Sequence, residues 1–493
     1  MQLSKLLKDV KIIQVQEKEN IIDVDIQALC VDSRKVSEKS LFFCLTGGNT
    51  DGHTFAEEAV KKGAVALVVE KPLALKDSKT LQIVVENSRS ALSQIASAFY
   101  DHPSRDMKII GITGTNGKTT TSYMLASVLE ESGKKVGVIG TLGVRFDGEF
   151  EQSDLTTPDP IELHKSLAKM KENKIEYVVM EVSAHALHYH KICGIDFTAC
   201  IFTNLTQDHL DFFPSMRAYK TAKSTLFLDD ICPIAIINGD DEAGRKFGEQ
   251  RTKKTVYYGL NTPVDAFAIV THETLKKSEC MLNINDKLCR ISLAFVGRHN
   301  IYNALASATC AVELGIPLTA VAEGLRKLNG VRGRLERIAD FNGGEIFVDF
   351  AHTPDGLEKS LVALKPHCKG KLICLFGCGG NRDKSKRPIM GETVAKRADF
   401  TILTSDNPRY EDPLDIIADI EKGYRRFSVK YVVVQRREKA IEYALGVLKK
   451  GDILLVAGKG GEDYQEIMGI KYPFNDNDII EKIIEEKENV STV

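Results

Sequence analysis

Residues 111–121 read GITGTNGKTTT, and this stretch decides the fold. An apolar run, 107–112, leads into it; a helix-like segment, 119–132, leads out and is stopped by Gly133. In such a strand–loop–helix turn, glycines let backbone N–H groups approach a polyphosphate, Lys118 reaches the terminal phosphates, and the Thr119 hydroxyl can ligate magnesium. The strict pattern asks for glycine at 112, where this chain has Ile112, so GTNGKT is a variant. Gly114, Thr115, Asn116, Gly117, Lys118, Thr119 and Thr120 are the expected phosphate-binding residues, for ATP or GTP. The loop predicts a nucleotide and leaves its use open.

Outward from the loop, the central section alternates strands and helices. Runs 135–141, 177–182, 199–202 and 233–238 are continuously apolar, as buried parallel strands are. Before them, residues 1–106 hold short β-like runs at 64–70 and 81–86, a Gly- and Asn-rich loop at 46–53, and a linker at 101–104. A second boundary falls near 330–333. Beyond it, strand-like runs at 346–350, 372–376, 400–404, 431–434 and 453–457 alternate with helical patterns, clearest at 413–421 and 437–449, which argues a doubly wound sheet. Its loop 377–382, GCGGNR, has Arg382 where a dinucleotide fingerprint needs its third glycine, so a nicotinamide enzyme is disfavoured. No repeat, heptad run or low-complexity segment interrupts the chain.

Composition sets bounds. At 493 residues, 43% apolar and 27% charged, the chain suits a globular protein of roughly three domains. A net charge of −2 gives no reason to expect nucleic acid or an anionic membrane as partner. No apolar run approaches the roughly 20 residues of a bilayer span, and the lysines within 1–13 argue against a signal peptide. Eleven scattered cysteines with no CxxC pair read as reduced thiols, which makes the cytoplasm the expected compartment.

Three constellations carry chemistry. Glu181 and Ser183 end a buried strand, where ligand sites form in open α/β sheets; a carboxylate there can hold magnesium or can cap the next helix. His185, His188 and His190 lie close together, but no second Cys/His pair completes a tetrahedral metal site. Asp208, His209 and Asp211 follow another strand end, and His209 reads either as a magnesium ligand or as an ordinary loop histidine. In the helical stretch 218–227, Lys223 by itself reads as a solvated surface charge.

GTNGKTT (114–120), TTPDP (156–160), MEVSAHAL (180–187), NLTQDHLD (204–211), YKTAKSTLF (219–227), GRHNIYNALA (297–306), GRLE (333–336), DFAHTPDGL (349–357), GCGGNRDKSKRP (377–388), DNPRYEDP (406–413) and GKGGEDYQ (458–465) recur in this order in one family. The chain resembles the Mur ligases end to end, and within them the branch that makes the UDP-N-acetylmuramoyl tripeptide.

The resemblance implies three α/β domains: a UDP-binding domain at 1–106, a central P-loop ATPase-like parallel sheet at 107–333 and a C-terminal Rossmann-like doubly wound sheet at 334–493. It implies an ATP-dependent amide ligase of cytoplasmic peptidoglycan precursor synthesis, hence of cell-wall biogenesis, shape and division. The UDP-N-acetylmuramoyl-L-Ala-D-Glu carboxylate is phosphorylated to an acyl phosphate, which an amine then attacks. Lys118, Glu181, His209 and Lys223 are the implied catalytic set. Thr119, Glu181, His209 and Lys223, the last as a carbamate, are the implied magnesium ligands. Asn303, Arg334 and Asp349 would grip adenine, phosphate and ribose.

Ser33, Thr156, Thr157, Ser183 and Lys191 would hold the UDP substrate. Lys191 stands where the family usually has Arg, and Tyr189 where it has Gln; Lys keeps the charge and loses the planar fork. Arg382, Asp406, Asn407, Pro408, Arg409, Gly458 and Glu462 would hold the incoming amino acid. DNPR (406–409) is the form of members that add meso-diaminopimelate, Arg409 pairing with its distal carboxylate. A site so built rejects lysine by a factor on the order of 10⁴ when its charge is left alone. Gly461 replaces a common His, and Tyr410 a small polar residue. Small molecules are the implied partners, and a monomer is expected. The same reaction with lysine or another diamino acid, a sibling ligase, a folylpolyglutamate synthetase and a nucleotide-gated binding protein are the alternatives. DNPR argues against the first, DNPR together with VDSR (31–34) against the second, residues 1–106 before the loop against the third, and the joint presence of Glu181, His209 and Lys223 against the last.

Overall fold

Strand Lys108–Thr113 ends where the phosphate-binding residues 114–120 begin, and helix Lys118–Glu131 starts on their lysine. The computed structural model describes residues 1–16, 24–47, 50–76 and 80–491; Gly48 and Asn49 of the expected loop 46–53 lie outside them. The chain divides into two compact units. The first holds Met1–Gly111, Lys134–Ala199 and Asp230–Pro233; the second holds Ile112–Gly133, Cys200–Asp229 and Ile234–Val493.

In the first unit, five strands stand in the order Ile12–Gln16, Leu81–Val85, Ala64–Val69, Ser40–Phe43, Ala28–Cys30. All pair in parallel except the first, antiparallel, pair. The apolar runs are unbroken because both faces are covered. Leu41, Phe43, Val68 and Ile83 pack with Leu92 and Ile95 of helix Ser88–Phe99. Phe42, Leu67, Val69 and Val84 pack on the other side with Ala56 and Ala59 of helix Ala56–Lys61. The unit also contains Tyr177–Glu181, parallel to Val136–Gly140, followed by the antiparallel Gly143–Phe146 and Glu149–Glu151.

In the second unit, Ile234–Asn238 and Lys254–Gly259 are parallel, and Ala266–Glu273 joins them in parallel. Next come Ser278–Ile284 and Lys287–Leu293, an antiparallel ribbon that the sequence reading did not anticipate. Its signal is the turn Asn285-Asp286, both with positive φ (51° and 60°), between strands that alternate buried and exposed residues.

The second sheet of this unit has the order Glu336–Phe341, Gly344–Asp349, Ile453–Ala457, Leu372–Phe376, Phe400–Leu403, Lys430–Val433. Only the Glu336–Phe341 edge is antiparallel. Helices Pro354–Leu364, Lys386–Arg397 and Pro413–Tyr424 cover one face through Leu361, Val394 and Ile420. Helices Arg437–Val447 and Asp476–Ser491 cover the other through Ile441 and Ile480, so the sheet is doubly wound as expected. Because the last parallel strand inserts between Gly344–Asp349 and Leu372–Phe376, the strand order reverses there. The crevice beyond those carboxyl ends is where such sheets bind ligands.

Candidate active site

The phosphate-binding residues 114–120 lie in the second unit and are braced by segment 203–206. Thr115 N donates to Asn204 O at 2.8 Å, Asn116 N to Asn204 Oδ1 at 3.0 Å, and Thr206 N to Thr115 Oγ1 at 3.0 Å. Gly114 and Gly117 have φ of +151° and +92°, and a Cβ on Gly117 would run into Asn303. Here glycine answers both conformation and contact. Lys118 Nζ donates to Gly114 O and Thr115 O, each at 3.0 Å, curling over the loop. Arg334 Nη2 donates to Thr119 Oγ1 at 2.8 Å, and its guanidinium lies 4.3 Å over the Phe350 ring. Asp349 accepts from Ser360 Oγ, and burial raises its carboxyl above the usual range. Thr120 is buried in the first turn. Loop, Thr119, Asn303 and Arg334 are thus one assembly.

Lys223, on helix Met216–Ser224, is no surface lysine: it is 1% exposed. Its Nζ donates to Gly114 O at 2.8 Å and sits 4.7 Å over the Tyr219 ring. Burial first, and the charge of Lys118 second, push the amine well below its ordinary range. Among the described residues no carboxylate lies within ion-pair distance of it. Tyr219 shares a hydrogen bond with Thr115 at 3.2 Å. His209 has a left-handed backbone (φ +57°) and faces Asp208 at 3.4 Å. Asp208 is buried, which alone would raise its carboxyl; His352 at 3.7 Å, Lys386 at 3.2 Å and His209 outweigh that and hold it well below the usual range.

In the first unit, Glu181 accepts from Thr141 N at 2.9 Å and Thr141 Oγ1 at 3.2 Å. It does not cap the next helix. Ser183 does, accepting from Ala186 N at 3.1 Å. Thr157 Oγ1 donates to Glu181 O at 2.9 Å and accepts from Ser183 N at 3.0 Å; Thr156 shares a hydrogen bond with Thr141 at 3.1 Å. Thr156, Thr157, Glu181 and Ser183 therefore cluster. Ser33 donates to Glu58 at 3.0 Å, and Lys191 pairs with Asp159 at 2.7 Å. Tyr189 carries the Arg89 guanidinium 4.3 Å over its ring.

The third cluster fills the crevice at the strand reversal, on loops after Leu372–Phe376, Phe400–Leu403 and Ile453–Ala457. Gly379 would bring a Cβ to 3.0 Å from Arg409 Nη1 and 3.7 Å from Arg382 Cγ, so both arginines border one glycine. Asn407 Nδ2 donates to Glu462 Oε2 at 2.9 Å, and Gly458 N to Asp349 O at 3.0 Å. Pro408 is buried, its carbonyl against Gly380. Burial works to raise the Asp406 carboxyl; Lys459, then Arg437, outweigh it and hold it below the usual range. Tyr410 is 64% exposed, and Gly461 N packs against Gly333.

The structure adds residues the sequence reading left out. Lys459 is buried and donates to Asn407 Oδ1 at 3.1 Å and Glu462 Oε2 at 2.9 Å. Arg437 and Asp476 form an ion pair at 2.7 Å with both side chains 0% exposed. Lys459, Lys386 and His352 fall inside quoted motifs and could have been read there. Arg437 and Glu466 fall in none. Among the described residues no group of three or more His, Cys, Asp or Glu could hold a metal ion, and no helix is long and apolar enough to cross a membrane.

Fold and clusters define a phosphate-loop α/β protein with a second site at a sheet's strand reversal. Family models match in succession: the Mur ligase family, catalytic domain, over 25–100; the Mur ligase middle domain over 112–311; and the Mur ligase, glutamate ligase domain, over 333–460. The chain belongs to the Mur ligase family and has its three-domain architecture. It is 42% identical to the UDP-N-acetylmuramoyl-L-alanyl-D-glutamate--2,6-diaminopimelate ligase of Caldanaerobacter subterraneus, over 99% of this chain and 100% of that one. It is equally similar, with the same coverage, to the ligase of that name numbered 1 in Clostridium acetobutylicum. A solved structure of a UDP-N-acetylmuramoyl-L-alanyl-D-glutamate--2,6-diaminopimelate ligase superposes with a TM-score of 0.66 at 30% identity, covering 95% of this chain and 98% of that one.

Proposed function

We propose that this protein is an ATP-dependent amide ligase that adds meso-2,6-diaminopimelate to UDP-N-acetylmuramoyl-L-alanyl-D-glutamate, in cytoplasmic peptidoglycan precursor synthesis. The observation that carries the reading is Arg409, set beside Arg382 at the strand reversal of the C-terminal sheet. A planar fork there suits the distal carboxylate of a diamino diacid. Domains at 1–106, 107–333 and 334–493 are supported by the spans of the three family matches.

The dipeptide carboxylate attacks the γ-phosphorus of ATP; the bond to ADP breaks and an acyl phosphate forms. The diaminopimelate amine then attacks the acyl carbon, phosphate leaves, and the amide remains. Both steps bring anions together, so positioned positive charge is the main requirement. Lys118 and the N–H groups of residues 114–119 supply it at the polyphosphate, and Arg334 beside Thr119 adds to it. Asn303 and Asp349 would receive adenine and ribose. Ser33, Thr156, Thr157, Ser183 and Lys191 would hold the UDP substrate. Asp406, Asn407, Pro408, Gly458 and Glu462 would shape the acceptor pocket.

Magnesium takes oxygen donors, and the Thr119 hydroxyl and the Glu181 carboxylate are each donors of that kind. By resemblance, His209 is also a magnesium ligand. Lys223 fits only as a carbamate, and its buried, low-pKa amine is the form of lysine that adds CO₂. Bound magnesium would screen the phosphates.

ADP release is expected to require both UDP-N-acetylmuramoyl-L-alanyl-D-glutamate and diaminopimelate, and to stop when either is left out. ADP release without the diamino acid, or none with the full mixture, would remove the reading. A folylpolyglutamate synthetase is disfavoured by the Mur ligase match that precedes the phosphate loop.

A further inference from the structure

We propose that Glu466 is a specificity-determining residue of the acceptor site, a resident carboxylate on Arg409 that the incoming amino acid's distal carboxylate has to displace. The proposal rests on the reading of Arg409 given above.

Arg409 Nε donates to Glu466 Oε2 at 3.0 Å, and Nη1 donates to Gly380 O at 2.8 Å. A guanidinium offers a carboxylate two bidentate edges, Nε with Nη2 and Nη1 with Nη2. Each edge of Arg409 already has one nitrogen engaged. Gly380 O is backbone and stays. Glu466 is a side chain, 21% exposed, and can rotate away. Arg382, which also borders Gly379, has no hydrogen-bond or ion-pair partner among the described residues, so the two arginines of the site are not equivalent.

The chain holds Glu466 there deliberately. It lies on the hairpin Tyr464–Ile467 and Ile470–Pro473, whose turn Met468-Gly469 has φ of +51° and +77°. Glu466 N donates to Asn407 Oδ1 at 2.9 Å, Arg409 N to Glu466 O at 3.0 Å, and Met468 N to Arg409 O at 2.8 Å. These bonds tie the hairpin to the DNPR loop and keep Arg409 in its left-handed backbone (φ +53°). They use backbone atoms of residue 466, so its side chain can change without releasing the hairpin.

Two consequences follow. Diaminopimelate binds against the resident ion, which weakens it. Lysine, with no distal carboxylate, leaves the Arg409–Glu466 pair intact and escapes part of the penalty that a bare arginine would impose.

Glu466→Gln keeps an acceptor for Arg409 Nε and removes only the charge. Steady-state kinetics with diaminopimelate and with L-lysine, alongside a melting midpoint, test it. The variant is expected to melt like the wild type and to lower KM for diaminopimelate about tenfold at nearly constant kcat, since the substrate now offers the only charged acceptor. The diaminopimelate-to-lysine ratio of kcat/KM is expected to rise by at least the same factor. An unmoved or smaller ratio, in a wild type that does use diaminopimelate, overturns the inference and leaves the function standing. A wild type that does not use diaminopimelate fails the function itself.

Discussion

Lys223 and Lys459 are both lysines sealed inside the protein, and their surroundings are opposite. Lys223, beneath the phosphate loop, rests on the carbonyl of Gly114 and the ring of Tyr219, and burial drives its amine toward neutrality. Lys459, in the acceptor crevice, holds Glu462 and Asn407 and lies 5.6 Å from the Tyr464 ring centre and 5.9 Å from that of Phe474. A buried cation given its acid is scaffold: removing it strands the acid. A buried amine without one is costly to keep, and that cost marks it as a working group.

Substituting each lysine by alanine is the sharpest way to break this contrast. Lys223→Ala is expected to lower kcat at least about 10³-fold, the scale of losing a preorganised charge, with a melting midpoint equal to or above the wild type. Short carboxylates added to that variant should restore part of the rate. Lys459→Ala is expected to do the reverse: a loss of about 1–3 kcal/mol in stability, a higher KM for diaminopimelate and a kcat within a few-fold. Steady-state kinetics beside urea titrations read both. Matching signatures for the two variants would dissolve the distinction.

A smaller effect extends the contrast to a buried histidine in the other unit. His164 is fully buried, and both ring nitrogens lack a hydrogen-bond partner among the described residues. Burial lowers its pKa from 6.5 to about 3. The unfolded chain therefore binds the proton more readily, so this group's share of stability is complete above about pH 6.5 and is lost as pH falls toward 3. The loss amounts to about 1 kcal/mol by pH 5.5. His164→Leu is expected to flatten the fall in melting midpoint between about pH 7.5 and 5.5; an unchanged slope would mean the ring titrates normally.

Much of this was legible in the chain. The phosphate loop was, because GTNGKT needs specific residue types within a few positions. The parallel strands were, because coverage on both faces leaves unbroken apolar runs such as Leu372–Phe376 and Ile453–Ala457. The ribbon after Ala266 was missed because its strands are apolar on one face only, and its Asn285-Asp286 turn was the overlooked cue. Lys223 could not be told from a surface lysine by pattern, since its burial depends on residues more than a hundred positions away, Gly114 among them. Glu466 had no signal at all. A glutamate next to a turn is ordinary, and only the paired hairpin sets it on Arg409.

Selectivity between diaminopimelate and lysine tests the central claim most directly. With UDP-N-acetylmuramoyl-L-alanyl-D-glutamate and ATP saturating, kcat/KM measured for each diamino acid is expected to favour diaminopimelate by roughly 10²-fold or more, below the 10⁴ of a bare arginine because Glu466 already occupies Arg409. A ratio near one, or a preference for lysine, would contradict the account.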